Sequence, residues 1–180
     1  MREIALHILD IVQNSVAASA SVISITIVED RNTDRLSLTI TDDGKGMDPK
    51  TVERVTDPFY TTRTTRKVGL GLPMLKMAAV ASSGSFSISS KVGEGTTVEA
   101  CYQLSHIDRP PLGDMVSSML AILLGNEAMN ILYSHTVDER IFAFESREMK
   151  EALDGLSFQT PDVYTWLKEY LTENEEMLYA

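Results

Sequence analysis

One cysteine, Cys101, stands alone in 180 residues, so no internal disulfide is available and a reducing compartment is expected. No run approaches the roughly 20 apolar residues that span a bilayer. The opening MREIALHILDIVQNS interrupts any signal-peptide core with Asp10, Gln13 and Asn14. These absences predict a cytoplasmic protein with no membrane partner. Cationic excess is missing too: the net charge is −10, which argues against nucleic acid, because phosphate backbones demand clustered Lys and Arg. Internal repeats and low-complexity tracts are also absent. What remains is 43% hydrophobic and 23% charged, ordinary for a globular chain with a core.

One further absence is local. Between Pro58 and Gly93 there is neither Asp nor Glu, while Arg63, Arg66, Lys67, Lys76 and Lys91 all fall there. A basic island in an acidic chain fits a local anionic ligand, and equally fits a chance gap.

Periodicity predicts a helix over residues 3–19, apolar on nearly every side except for a stripe of His7, Asp10 and Asn14. Strands are expected over Val22–Val28 and Leu36–Thr41, the second running into the glycine turn of DDGKGM. A short helix follows from Asp48 to Val55, with Asp48 as cap and Pro49 in its first position. Residues 56–68 read as a loop, then a helix from Leu70 to about Ser82, then strands at Ser85–Ser90 and Thr96–Gln103.

Beyond Gln103 the texture changes. SHIDRPPLGD reads as a linker over 105–112, and 113–180 as a small α/β appendage. In it we expect helices over Met115–Leu124, Arg147–Leu153 and Asp162–Leu171, and strands over Met129–Ser134 and Ile141–Glu145. The tail with Glu173, Glu175 and Glu176 reads as a solvated acidic end, and Met74-Leu75-Lys76-Met77 as core packing.

The chemistry-bearing residues come in fixed order. Gly69-Leu70-Gly71-Leu72 opens a helix, where unpaired N–H groups and the positive helix end cradle phosphate. Arg63, Arg66 and Lys67 precede it, within reach of a terminal phosphate. Asn14 offers a hard oxygen of the kind Mg²⁺ takes beside phosphates and water. Asp42, at a strand end, is able to accept from an exocyclic amino group such as that of adenine.

This set resembles the GHKL superfamily: gyrase-type topoisomerases, heat-shock chaperone ATPases, MutL-type repair proteins and histidine kinases. HILDIVQNSVAASA is similar to the N-box and DDGKGM, with Gly44, Gly46 and Met47, to the first glycine box. DPFYTTR, with Phe59, Thr62 and Arg63, resembles the F-box, VGLGLPML the second glycine box, and GEGTT the last. The resemblance covers about residues 1–104 and is strongest toward histidine kinases. It implies a two-layer α/β (α+β) sandwich, the Bergerat ATP-binding fold, with the C-terminal part as an appendage. It also implies ATP and Mg²⁺ as ligands: Asn14 on the metal, Asp42 on adenine, the glycines around phosphates and lid, and Thr96 near the adenine edge.

Two departures are visible. The N-box begins at residue 3, so the dimerising hairpin with its phospho-accepting histidine is not expected. His7, inside the N-box helix, reads as a core or supporting residue rather than its replacement. Asp10 stands one turn before Asn14, where hydrolysing relatives usually carry Glu; it is the candidate catalytic residue, as a base or as partner to His7 and a metal-bound water. The expected activity is that of an ATP-dependent protein kinase or ATPase in signalling. Its γ-phosphate acceptor would be another protein, and the C-terminal part would serve partner docking or homodimerisation. Two alternatives remain: an ATP-sensing regulator of the anti-sigma-factor kind, acting without turnover, and an energy-transducing ATPase.

Overall fold

The computed structural model describes residues 3–57 and 71–180. Helix α1 (Ile4–Ala17) is followed by the hairpin β1 (Val22–Asp30) and β2 (Arg35–Asp42), then by α2 (Pro49–Arg54). Next come α3 (Gly71–Ala81), β3 (Ser85–Lys91) and β4 (Gly95–Gln103). The chain continues through α4 (Met115–Gly125), β5 (Asn130–Val137), β6 (Arg140–Glu145), α5 (Ser146–Ala152) and α6 (Pro161–Tyr179).

The strands form one sheet in the order β3-β4-β2-β1-β5-β6. Alternation gives it two unlike faces. Ile23, Ile25 and Ile27 of β1, Leu36, Leu38 and Ile40 of β2, and Val98, Ala100 and Tyr102 of β4 all point into the core. The helices cover that face, with α1 packed between α3 and α4 and α6 beyond α4. The opposite face is rich in hydroxyls: Ser24 pairs with Thr41, Thr26 with Thr39, and Thr41 with Thr97, whose hydroxyls lie 3.1 Å apart. Such a face is content in water, so the fold stops at two layers.

The change of texture at 105–112 does not end the sheet. Strand β5 pairs with β1 in parallel from Val22↔Asn130 to Glu29↔Val137, and Ile131, Tyr133 and Phe142 join the same core. The connecting segment also terminates α1. The Glu3 side chain at its N-cap makes no capping bond; instead Ile4 N–H donates to the Pro111 carbonyl at 3.0 Å and Ala5 N–H to that of Leu112 at 2.8 Å. These acceptors answer first-turn donors that would otherwise be orphaned. By contrast, α2 and α4 are capped locally, by Asp48 on Thr51 N–H and by Asp114 on Ser117 N–H.

Two expectations need correction. The acidic tail is a solvated end only in part: α6 runs on to Tyr179 with Glu173 and Glu176 exposed, but Glu175 is buried. Its carboxylate accepts from Tyr133 Oη at 2.6 Å and meets His135 Nδ1 at 2.8 Å, while Glu29 of β1 lies 3.3 Å from His135 Nε2. A buried carboxylate flanked by an imidazole and a phenol is compatible with an acidic stretch continuing as helix. In the methionine run, Leu75 is fully buried but Met77 is 67% exposed, because they lie on opposite sides of α3.

Candidate functional site

One end of the sheet gathers the candidate residues. Asp42 closes β2 and is buried; its Oδ1 accepts from Gly44 N–H at 2.9 Å and its Oδ2 from the Ser15 hydroxyl at 2.6 Å. Ser15 is the helical neighbour of Asn14, so α1 and the β2 terminus are joined where Asn14 stands. Gly44 is required there: a Cβ would lie 2.9 Å from both the Cβ and the carbonyl oxygen of Ala18. Beside it, Asp43 is exposed and binds back to the Ser21 and Val22 amides at 2.7 and 2.8 Å. The Val22 amide above all holds the Asp43 carboxyl below the usual range.

The turn between β3 and β4 closes the same end. Thr96 is the cross-strand partner of Asp42. The Ser90 hydroxyl donates to the Gly95 carbonyl at 2.8 Å, lies 2.9 Å from Thr96 Oγ1, and accepts from Met47 N–H at 2.8 Å. Gly46, at φ +67°, leaves no room for a side chain, since a Cβ would stand 1.9 Å from the Lys91 carbonyl oxygen. On the other flank, α3 starts at Gly71, where a Cβ would fall 1.5 Å from Asp10 Oδ2. The Asp10 carboxylate therefore packs against the first residue of a helix, the end that attracts negative charge. Leu72, next along, is buried.

Of the described members of the predicted set, Asp42, Gly44, Gly46, Met47 and Thr96 gather at the β2 end and the β3–β4 turn, and Asp10 meets Gly71, with Leu72 next to it; α1 carries both Asp10 and Asn14 and joins the two groups through Ser15. Phe59, Thr62, Arg63, Arg66, Lys67, Gly69 and Leu70 lie outside the described residues. His7 is 1% exposed, neither ring nitrogen has a hydrogen-bond partner among the described residues, and burial pushes its pKa down, so it stands neutral in the core. Sequence reasoning missed Ser15 and Ser90. Ser15 carried a signal, a hydroxyl on an otherwise apolar helix that must find a partner once buried. Ser90, at a strand end, carried none.

Residues 2–106 match the family of histidine kinase-, DNA gyrase B- and HSP90-like ATPases. The chain belongs to that family. Membership gives it an ATP-binding, histidine-kinase-like domain, and its relatives agree. It is 37% identical over 89 residues to the sensor protein kinase FleS of Pseudomonas aeruginosa, covering 49% of this chain and 22% of that one. It is 30% identical over 89 residues to the sensor histidine kinase ZraS of Salmonella typhi, covering 49% and 19%. A putative sensor protein of Shewanella frigidimarina is 30% identical over 103 residues, covering 56% and 16%. The chain thus spans less than a quarter of the length of these relatives. The crystal structure of the N-terminal domain of a DNA repair protein shares the fold, with TM-score 0.58 at 16% identity over 79% of this chain and 52% of that one. Among the described residues, no helix is long and apolar enough to cross a membrane.

The residues present fit the ligands the family implies. The glycines at 44, 46 and 71 let backbone and carboxylate pack closer than any Cβ would allow. Asn14 and Asp10 supply hard oxygens one helical turn apart, the donor chemistry that suits Mg²⁺ shared with phosphate.

Proposed function

We propose that the chain is a cytoplasmic, histidine-kinase-like signalling protein that binds Mg-ATP at this end of the sheet and transfers or hydrolyses the γ-phosphate. The supporting observation is that α1, which carries Asp10 and Asn14, meets both the start of α3 at Gly71 and the end of β2 at Asp42, segments distant from it in sequence. In this reading Asp42, oriented by Ser15 and the Gly44 amide, accepts from the adenine amino group, with Thr96 beside it. The first-turn amides of α3 face the phosphates, and the cations at Arg63, Arg66 and Lys67 add charge from the preceding segment. Asn14 holds the metal through its amide oxygen. Bound Mg²⁺ would neutralise phosphate charge. Asp10 takes a proton from the attacking water or hydroxyl, or orients it. Residues 113–180 serve partner docking.

A second reading, ATP sensing without turnover, draws on the position of Asp10. Its carboxylate is engaged against Gly71, and its side chain is one methylene shorter than the usual Glu; an ångström of misplacement suffices to silence a general base. A single-turnover assay with γ-labelled ATP, with and without candidate acceptors, separates the two. Released phosphate or a labelled protein supports the enzyme; persistently bound ATP supports the sensor. Unchanged Mg-ATP affinity in Asn14→Ala would remove the metal assignment.

A further inference from the structure

The net charge is partitioned very unequally. Residues 1–112 carry 13 acidic and 12 basic side chains, a net of −1, whereas residues 113–180 carry 13 and 4, a net of −9. Much of that excess lies on α6. The side of α6 facing the core is lined by Val163, Leu167, Leu171, Glu175 and Leu178. A neighbouring flank carries Trp166, Tyr170, Glu173 and Met177, the 4-3-4 spacing of a helix-pairing seam. Trp166 is 41% and Met177 60% exposed. Tyr170 anchors the seam, stacked on Trp166 with centroids 5.3 Å apart and edge-on to Phe142 of the end strand β6 at 5.6 Å. Exposed Asp162, Glu169 and Glu176 run alongside, and Glu173 lies within it.

We propose that this flank of α6 is a docking surface for a basic amphipathic helix of a protein partner. The seam supplies what an apolar helix face needs, rigid aromatic area at helical spacing. The charge selects the occupant. A second copy of this chain would set Asp162, Glu169, Glu173 and Glu176 against their own counterparts, and like charges in juxtaposition oppose association. A helix with Lys or Arg flanking its apolar ridge meets the same carboxylates favourably.

Trp166 is the one tryptophan of the chain, so its emission reports the seam directly. The probes are a Leu/Lys amphipathic helical peptide of about 18 residues and its Leu/Glu counterpart. The Leu/Lys peptide should shift Trp166 emission to the blue, its affinity falling about tenfold or more between roughly 0.05 and 0.3 M salt. The Leu/Glu peptide should leave the emission unchanged. Joint reversal of Glu169, Glu173 and Glu176 to Lys, or Met177→Glu alone, should weaken binding at least about tenfold. Reversal of Glu148 and Glu151 on α5 should not. Equal losses from both reversals would mean general attraction to an acidic chain and overturn the proposal. So would binding indifferent to salt, or a dimer in sedimentation equilibrium that Met177→Glu dissolves.

Discussion

Ser15 and Asp42, 27 positions apart, meet at 2.6 Å with the serine hydroxyl donating to the carboxylate. This bond joins the helix that carries Asn14 to the strand end assigned to adenine, and leaves the Gly44 amide as the only other described donor to Asp42. Hydrogen bonds to a charged acceptor are worth about 1.5–3 kcal/mol, and removing one lets the carboxylate turn away from its ligand. Ser15→Ala should therefore weaken ATP binding about tenfold, and Asp42→Asn about a hundredfold, with a loss of about 1–3 kcal/mol in folding stability for Ser15→Ala, whose buried carboxylate partner loses a donor. Titration calorimetry checks this; unaltered affinity in Asp42→Asn would remove the adenine assignment.

At the other flank, the space a Gly71 side chain would need is taken by the end of the Asp10 side chain. Gly71→Ala should cost about 1–3 kcal/mol by overpacking, and Asp10→Ala in the same chain should recover part of that loss. Denaturant unfolding of the two single variants and the double variant measures the coupling. Additive losses would mean that Asp10 is not what the methyl group meets. Gly46→Ala should cost more, with no rescue by a side-chain change, because a fixed carbonyl stands 1.9 Å from the new atom and φ is +67°.

The His135 cluster predicts an alkaline weakness. Burial alone would lower the imidazole pKa, but the hydrogen bonds and charges of Glu175 and Glu29 outweigh it and raise the value from 6.5 to about 9. Tyr133 and Tyr179 complete the ring of groups around this pair of carboxylates. A raised folded value means that the contribution is complete below about pH 6.5 and is lost as pH climbs through about 9, a change on the order of 3 kcal/mol. The urea midpoint should fall between pH 7 and 9.5, and His135→Gln should flatten that slope while lowering stability at pH 7. An equal slope in the variant would place the alkaline sensitivity elsewhere.

A chain ending at residue 104 would lack β5, which covers one edge of β1, and the Pro111 and Leu112 carbonyls that receive the first amides of α1. It should show no cooperative thermal transition by circular dichroism, even though it contains nearly all of the motifs. A sharp melt like that of the whole chain would show that residues 105–180 are dispensable for folding.

Much of the site could be read before the fold was seen, because its chemistry is local. Glycine pairs after a strand, a helix opened by GLGL and an amide on an apolar helix are short-range patterns. Asp48 and Pro49 likewise announce the start of α2 within four residues. Ser90 could not be read in this way, since its role depends on which carbonyl and which amide the turn of β3 and β4 brings to it.

The sequence by itself determined the elements, the family and the order of the ligand-facing motifs, since periodicity, caps and glycine turns act over a few residues. Tertiary structure alone decided that β5 lies parallel to β1 and that Glu175 turns inward to His135 and Tyr133. Those pairings join positions tens to more than a hundred residues apart. They are selected by the burial of the common core and the need to satisfy each buried polar group, and no local pattern encodes either condition.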